Sequence, residues 1–375
     1  MSGAVVLTLA SCSSPDESGP TTTTTTQTPP AATTPTPTPT PAVLFPGSSW
    51  DRDEQGDFDA LDVELQQAGS TCVAVVKDGA LVHDAYWNGG APEAKHRVYS
   101  ITKSLAALLA GTFVGDEALD LDASASEHVD EWAGTAAEEV TLRDLLSMTS
   151  GRRWDDGTDR QMIRSAPDKT SFSVGLQQDR PPGEAWVYDN SAVQTLEAVL
   201  DDLGTSDVVE VANDRLLEPL GMSDTVWTRD AAGNALTYSG VESTCHDLAR
   251  VGYLMLNDGR WEDQQIVPAD YVREMTTASS DLNAAYGLLW WVNAEGRVVE
   301  VLRQAGFATD KAPYEGRLAP NVPDDAYWAF GYGNQYVAVV PSEGLVAVRL
   351  GSRPASPDQV TFDGFTAGVL EALDR

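Results

Sequence analysis

The sequence predicts an α/β (α+β) fold, in which one antiparallel sheet is flanked by helices and an all-helical domain is inserted into it. Two observations support this class. Segments rich in β-branched residues, typical of strands, occur at residues 71–87 and then only after residue 286. Between them, apolar residues recur with helical spacing. We expect residues 50–115 plus 286–375 to form the α/β part and residues 116–285 the helical part.

The first elements of the folded part are a hairpin and a helix. TCVAVVKDGALVHDAYW (residues 71–87) places a Lys-Asp-Gly turn between two β-branched runs, which predicts two antiparallel strands. VYSITKSLAALLAGTFVG (residues 98–115) is predicted to be helical. This helix carries no charge after Lys103 and is apolar on all sides, so it should lie in the centre of the fold.

The middle of the chain shows helix signals. TLRDLLSMTSG begins at an N-capping Thr141, and SAVQTLEAVLDDLG places Val and Leu at helical spacing. TCHDLARVGYLMLNDG begins with the capping-box pattern of Thr244 and Asp247.

The end of the chain returns to strands. They are predicted at residues 286–292, 335–341 and 345–351. The last two are joined by Ser-Glu-Gly, which is short enough for a second hairpin. An amphipathic helix through Phe362 and Leu373 follows.

Residues 1–49 are expected to lie outside the folded domain. Residues 1–12, MSGAVVLTLASC, resemble a bacterial lipoprotein signal whose cleavage leaves a lipid-carrying Cys12, although no basic residue precedes Arg52. Residues 13–49 are predicted to be a disordered Thr/Pro-rich linker. The expected location is extracytoplasmic, lipid-anchored to the bacterial cell membrane. The alternatives are a fragment of a leader or a disordered tail on a cytosolic protein.

Charge and cysteine content limit the partners. The 24 Lys and Arg against 57 Asp and Glu give a net charge of -33, which repels nucleic acid and anionic lipid. We therefore expect no nucleic-acid partner, and contact with a membrane only through Cys12. No later run reaches the ~18 apolar residues that a membrane span needs. For Cys72 and Cys245 we favour two separately buried thiols over one disulfide.

A serine and a lysine near the start of the apolar helix indicate a catalytic site. A helix that starts at Ser100 puts Lys103 on the same face, so the amine can reach the hydroxyl. Burial lowers the pKa of an amine, and a helix N-terminus favours a developing alkoxide, so the serine would be an activated nucleophile. On these two residues alone, an N-cap serine with a snorkelling lysine is an equal alternative.

Two further motifs favour the catalytic interpretation. PPGEAWVYDNSA places Tyr188 and Asn190 between a turn and a helix, and FGYGNQYVAVVP places a glycine-containing turn before a strand. S-x-x-K, Y-x-N and a third glycine motif, in this order, resemble the serine β-lactamase and penicillin-binding protein superfamily. RVYSITKS, VTLRDLLSMTSG, LLEPLGMSDT and QQIVPADYV are similar to its class C-like branch of DD-peptidases, carboxylesterases and 6-aminohexanoate-dimer hydrolases.

This resemblance implies a β-lactamase/transpeptidase-like fold and a role for each motif residue. Ser100 would be the nucleophile, Lys103 its hydrogen-bonded partner, and Tyr188 the general base, with Lys103 favouring its phenolate. Asn190 would orient the substrate or the lysine. The oxyanion hole would consist of the backbone N–H groups of Ser100 and Gln335.

The third motif departs from the family pattern. Lys-Thr-Gly is replaced by Tyr332-Gly333-Asn334 or, one residue earlier, by Gly331-Tyr332-Gly333. Neither alignment contains the cation that normally binds a substrate carboxylate, so a neutral ester or amide is favoured. The predicted substrate-binding residues are Asn190, Tyr332, Gly333, Asn334 and Gln335.

We therefore predict a serine hydrolase that needs no cofactor and no metal. It would cleave an ester or amide bond of a small-molecule ester, amide or peptide through an acyl-enzyme. One alternative is a DD-peptidase or β-lactamase acting on peptidoglycan peptides or β-lactams. Another is a catalytically silent cell-wall peptide-binding protein, but such a protein has no need of Ser100, Lys103 and Tyr188 together.

Other candidate residues are expected to be structural. The histidines lack metal-ligand spacing and are predicted to be surface or cap residues: His83, His96, His128 and His246. For four residues near the motifs, lining of the cleft and ordinary packing both remain open: Tyr99, Trp154, Asp155 and Trp328.

Overall fold

A computed structural model describes residues 45–300, 312–356 and 359–375, together with Met1 and Gly19. Cys12, and with it the predicted signal and most of the predicted linker, lies outside the described residues. All elements given below belong to the unit Val43–Arg375. Within the described residues, no helix is long and apolar enough to cross a membrane.

The α-helices of the described residues are α1 (Asp59–Gln67), α2 (Ile101–Gly115), α3 (Leu142–Leu146), α4 (Asp156–Ser165), α5 (Lys169–Val174), α6 (Asn190–Leu203), α7 (Val208–Ala212), α8 (Cys245–Leu256), α9 (Ala269–Met275) and α10 (Phe362–Leu373). The strands are β1 (Ser70–Lys77), β2 (Ala80–Tyr86), β3 (His96–Arg97), β4 (Val226–Trp227), β5 (Val241–Ser243), β6 (Arg260–Trp261), β7 (Gln264–Gln265), β8 (Trp291–Val292), β9 (Gly296–Val298), β10 (Tyr314–Gly316), β11 (Tyr327–Gly331), β12 (Gln335–Val340) and β13 (Leu345–Gly351).

The main sheet confirms the predicted fold class. Its six strands are ordered β2-β1-β13-β12-β11-β8, and all neighbours are antiparallel. The first strand pairs with the last, with Cys72 opposite Leu350 and Val76 opposite Val346. Strands β1 and β13, which are far apart in the sequence, therefore lie side by side in one sheet.

Helices cover this sheet and bury its central strands. Every residue of β12 is buried, as expected for a strand covered on both faces. Helix α8 packs against β1, β12 and β13. Its Gly252 allows a close approach, because a Cβ there would lie 2.4 Å from the Val346 side chain.

The middle of the chain differs from the predicted all-helical insert. Residues 116–285 also contain β4 to β7, and β4 and β5 form a small sheet with β3 in the order β3-β5-β4. These strands have two or three residues each, too short for a period of two to show in the sequence. Helix α8 lies in the same segment but packs on the main sheet.

The expectation of two separate thiols was wrong. Cys72 and Cys245 form a disulfide, with their Cα atoms 6.3 Å apart. Cys72 lies near the start of β1, and Cys245 is the first residue of α8, which packs against that strand. The packing of α8 on β1 brings together two cysteines that are 173 residues apart in sequence.

Candidate active site

Ser100 is held at the junction between β3 and α2. It is the N-cap residue of α2, and its own backbone is already helical, with φ -72°. The residue before it, Tyr99, has a left-handed backbone with φ 51°, which is costly for a bulky side chain and needs support from its surroundings. That support comes from the Arg97 guanidinium, 4.9 Å from the ring centroid, and from the Tyr332 ring at 5.2 Å.

Lys103 contacts the serine as predicted. Its Nζ donates to Ser100 Oγ at 3.0 Å and to the Tyr238 carbonyl at 2.8 Å, and the residue is 1% exposed. Burial lowers the pKa of this amine to about 7, while the charges of Asp159 and Asp189 act in the opposite direction. The lysine is therefore poised to gain or lose a proton near neutral pH.

Tyr188 completes the group but is not poised as a phenolate. It precedes α6, and Lys103 Nζ lies 5.0 Å from its ring centroid. Burial of the phenol raises its pKa, although a side-chain hydrogen bond with Ser100 opposes this. Of the predicted residues, Ser100, Lys103 and Tyr188 are thus brought together, with the neutral phenol as the resting form of Tyr188.

Asn190 is the first residue of α6, and its amide contacts an acid that sequence reasoning missed. Its Nδ2 donates to Oδ1 of Asp159 on α4 at 2.6 Å. Asp159 is fully buried, and burial raises its pKa to about 6. No motif marks this acid, because α4 reaches the site only through tertiary packing.

The two glycines of the third motif lie in different surroundings. Gly331, the last residue of β11, approaches the segment before the nucleophile, and a Cβ there would lie 2.2 Å from the Val98 carbonyl oxygen. Gly333 has φ +89°, and its nearest neighbour is instead the carbonyl of Gly351 on β13. The glycine that permits close approach to the segment before Ser100 is therefore Gly331.

The remaining residues of this turn differ in what they contact. The Asn334 side chain donates to carbonyls of residues 359 and 360, and the Gln335 side chain donates to the carbonyls of Arg97 and Tyr332. Both amides are thus bound within the protein. Tyr332 is 41% exposed, and its ring meets Tyr99 edge-on.

The candidate oxyanion donors are backbone N–H groups. Among the described residues, neither the N–H of Ser100 nor that of Tyr332 has a hydrogen-bond acceptor. Gln335, the other predicted donor, lies on β12 opposite Gly331, and its side chain donates to the Arg97 carbonyl at 2.9 Å.

An aromatic cluster surrounds Tyr188 and was not predicted. Tyr286 lies 6.3 Å and Trp291 6.2 Å from its ring centroid, and Trp186 lies 5.3 Å from Tyr286. Trp186 is close in sequence, but Tyr286 and Trp291 come about a hundred residues later. The pairing of β8 with β11 positions Trp291, and a β-bridge to Trp291 positions Tyr286.

The other candidates are structural. Trp328 is buried and donates to Thr366 Oγ1 at 2.9 Å, Asp155 caps α4 through the Thr158 N–H, and Trp154 packs at the edge of the core. Three histidines hydrogen-bond to side chains, at 2.9 Å from His83 to Asp62, 2.8 Å from His128 to Asp202 and 3.0 Å from His246 to Tyr86. In the described ranges no group of three or more His, Cys, Asp or Glu side chains is placed to hold a metal ion.

Comparisons with known protein sequences identify relatives of this chain. The protein-family profile described as Beta-lactamase matches residues 58–367. The curated 6-aminohexanoate-dimer hydrolase of Paenarthrobacter ureafaciens is 22% identical over 344 residues, which cover 84% of this chain and 80% of the relative.

Solved structures show the same fold. "Putative 6-aminohexanoate-dimer hydrolase from Bacillus anthracis" superposes with a TM-score of 0.70 at 19% identity, covering 88% of this chain and 89% of that one. "EstCE1, a hydrolase with promiscuous acyltransferase activity" superposes with a TM-score of 0.63 at 15% identity, covering 84% of this chain and 95% of that one. The resemblance seen in the motifs is confirmed, and relatives named as hydrolases support an enzyme. The chain belongs to the β-lactamase family.

Proposed function

We propose that this protein is a serine hydrolase that cleaves a neutral ester or amide through an acyl-enzyme on Ser100. The observation that carries the proposal is the contact of Lys103 Nζ with Ser100 Oγ at 3.0 Å, together with a buried amine whose pKa is lowered to about 7. A neutral amine at that distance is a competent base for a serine hydroxyl at physiological pH.

The roles of Lys103 and Tyr188 follow from their surroundings. Burial raises the pKa of Tyr188, so Lys103 is the better proton acceptor, in contrast to the role first inferred for the tyrosine. As Ser100 Oγ attacks the carbonyl carbon, its proton passes to Lys103. When the bond to the leaving group breaks, Tyr188 donates its proton to that group and recovers one from the Lys103 ammonium. Water then repeats the sequence and releases the acid.

We assign the oxyanion hole to the N–H groups of Ser100 and Tyr332 rather than Gln335. Both groups lack an acceptor among the described residues, and β11 is the strand whose Gly331 abuts Val98. Preorganised donors of this kind stabilise the tetrahedral intermediate, and loss of one typically costs a factor of about 10² to 10³ in rate.

The substrate proposal rests on charge and on the relatives. No residue of the third motif itself is positively charged, with Tyr332 in place of the lysine, so the motif offers no ionic partner for a substrate carboxylate. The similar proteins carry the names of an amide-dimer hydrolase and of a hydrolase with acyltransferase activity, not only of β-lactamases. Of the aromatic cluster, Trp186 and Tyr188 are partly exposed and suit an apolar portion of the substrate, whereas Tyr286 and Trp291 are buried behind them.

We further propose an extracytoplasmic location. The disulfide between Cys72 and Cys245 supports it, because disulfides persist in oxidising compartments. Fractionation of wild type and Cys12→Ser tests the lipid anchor. The anchor predicts release of the variant into the soluble fraction, and equal partitioning of both would contradict it.

A substrate panel with two serine variants tests the catalytic proposal. We expect turnover of p-nitrophenyl butyrate to exceed turnover of a penicillin, and Ser100→Ala to lose several orders of magnitude in rate. Ser104→Ala is the matched control on the same helix, since its hydroxyl donates to the Leu289 carbonyl, and it should stay within a few fold of wild type. Penicillin turnover above ester turnover would favour a β-lactamase instead.

A further inference from the structure

A buried arginine lies directly behind the third motif. Arg349 on β13 is 0% exposed, and its guanidinium donates only to neutral oxygens. The acceptors are Ser70 Oγ at 2.8 Å and the carbonyls of Gly333 at 2.6 Å, Asn334 at 3.0 Å, Ala68 at 3.3 Å and Ser352 at 3.2 Å. Among the described residues no carboxylate forms an ion pair with it.

A buried guanidinium without a carboxylate partner lowers the stability of the folded state. A buried cation is normally paired with an acid, because carbonyl dipoles replace its hydration only in part. Burial lowers the pKa of Arg349 to about 10, so the group still carries its charge at neutral pH. An apolar side chain would fill the same space without that desolvation cost. Packing alone therefore does not explain an arginine at this position, whereas the hydrogen bonds that it donates do.

Two of those hydrogen bonds fix the turn that carries the proposed oxyanion donor. Gly333 and Asn334 follow Tyr332 directly, and both have left-handed backbones, with φ 89° and 57°. Both carbonyls accept from the same nitrogen, Nη1, of a rigid planar guanidinium, so the two successive peptide groups cannot rotate independently. The Tyr332 N–H belongs to the peptide between Gly331 and Tyr332, two peptide groups before the one that contains the Gly333 carbonyl. The peptide between them is also held, because Gln335 Nε2 donates to the Tyr332 carbonyl at 3.2 Å. Arg349 thus fixes the second half of the turn whose first half carries the Tyr332 N–H.

We propose that Arg349 is a positioning residue for the oxyanion hole, which holds the β11–β12 turn so that the Tyr332 N–H faces Ser100. The inference rests on the proposed function, because it concerns the same hydrolytic site. It assigns no contact between Arg349 and substrate: the residue acts through the backbone of Gly333 and Asn334.

The experiment must separate positioning from simple stability, and the chain offers a matched control. Arg250 is also buried, at 3% exposure, and donates to the carbonyls of Leu220 and Gly47 at 2.9 and 2.8 Å. None of these residues belongs to the third motif. Arg349→Met, Arg349→Lys and Arg250→Met are compared for thermal unfolding, for kcat and KM on p-nitrophenyl butyrate, and for inhibition by phenylboronic acid, whose adduct places an oxygen in the oxyanion hole.

We expect Arg349→Met to lower kcat/KM about 10- to 100-fold, mainly through kcat, which is less than complete loss of one donor would cause. The inhibition constant for phenylboronic acid should rise in the same proportion, and the pH profile set by Lys103 should not move. Arg349→Lys should recover part of both losses. Arg250→Met should lose stability but keep kcat/KM within about threefold of wild type.

Several results would overturn the proposal. A folded Arg349→Met with wild-type kcat/KM would make the residue purely structural, as would reduced kcat/KM with unchanged boronate inhibition. If Arg349→Met does not fold, Arg349→Lys decides, because it keeps the charge but reaches fewer acceptors: wild-type values for both measurements refute positioning. Turnover that survives in Ser100→Ala would refute the hydrolase assignment itself, whereas Ser100-dependent turnover indifferent to Arg349 refutes only the positioning role.

Discussion

Replacing Lys103 by Met should abolish activity and yet leave the protein more stable. The native fold holds this amine at 1% exposure, with a pKa lowered from 10.5 to about 7. In the unfolded chain the same amine is fully hydrated and charged. Burial of this amine therefore lowers the free energy of unfolding while it provides a base at the active site. Met has an apolar side chain of similar length and avoids that cost.

The size of the gain follows from the two pKa values. One pKa unit corresponds to about 1.4 kcal/mol, so the lowered pKa represents roughly 5 kcal/mol of lost stability. Against this, the variant loses two hydrogen bonds of about 1 kcal/mol each and leaves the Tyr238 carbonyl without its donor, at about 1–2 kcal/mol. The net expectation at pH 7 is a variant more stable by about 1–2 kcal/mol.

The sign of the pH dependence gives a second, independent signal. Between about pH 7 and 10.5 the unfolded chain binds a proton that the native amine does not, so the stability of the wild type rises with pH over that range. The variant lacks this contribution, and its advantage should shrink towards pH 10.5. Urea unfolding at several pH values measures the difference, with Lys95→Met as an exposed-lysine control. A Lys103→Met protein less stable than wild type at pH 7, or a difference that does not change with pH, would refute the reasoning.

Three further predictions concern the base, the disulfide and the third motif. kcat/KM for a neutral ester should be low in acid and rise through about pH 7 as Lys103 loses its proton; a flat pH–rate profile from pH 5 to 9 would contradict this. Removing the disulfide with Cys72→Ser and Cys245→Ser should lower the free energy of unfolding by about 2–5 kcal/mol in urea titrations, and an unchanged midpoint would count against a structural role. Tyr332→Lys should raise the rate of acylation by penicillin about tenfold to a hundredfold with little change for esters; equal rates would show that the missing cation does not exclude β-lactams.

Local chemistry explains what could be predicted from the sequence. The β1–β2 hairpin and the β12–β13 hairpin follow from turn residues between β-branched runs, and α2 follows from its uninterrupted apolar composition. The contact between Ser100 and Lys103 depends only on helical spacing. Each of these features is determined within a few residues.

Features that depend on tertiary packing could not be predicted. Asp159 reaches Asn190 from α4, and Cys245 reaches Cys72 only because α8 packs on β1. The strand before the turn, β11, was also not predicted, so the Tyr332 N–H was not among the oxyanion donors considered. The residues of β11, YWAFG, do not alternate between apolar and polar, because the strand is buried along most of its length.

The central claim is that Ser100 becomes acylated, and its location in a tryptic peptide makes the claim directly testable. Trypsin cleaves after Arg97 and Lys103, so Ser100 is the only serine in the peptide VYSITK. Wild-type protein is treated with a fluorophosphonate or quenched during turnover of p-nitrophenyl butyrate, digested, and analysed by mass spectrometry. The proposed mechanism predicts an adduct on this peptide and none anywhere in Ser100→Ala. An adduct on another peptide, or labelling that persists in Ser100→Ala, would contradict it.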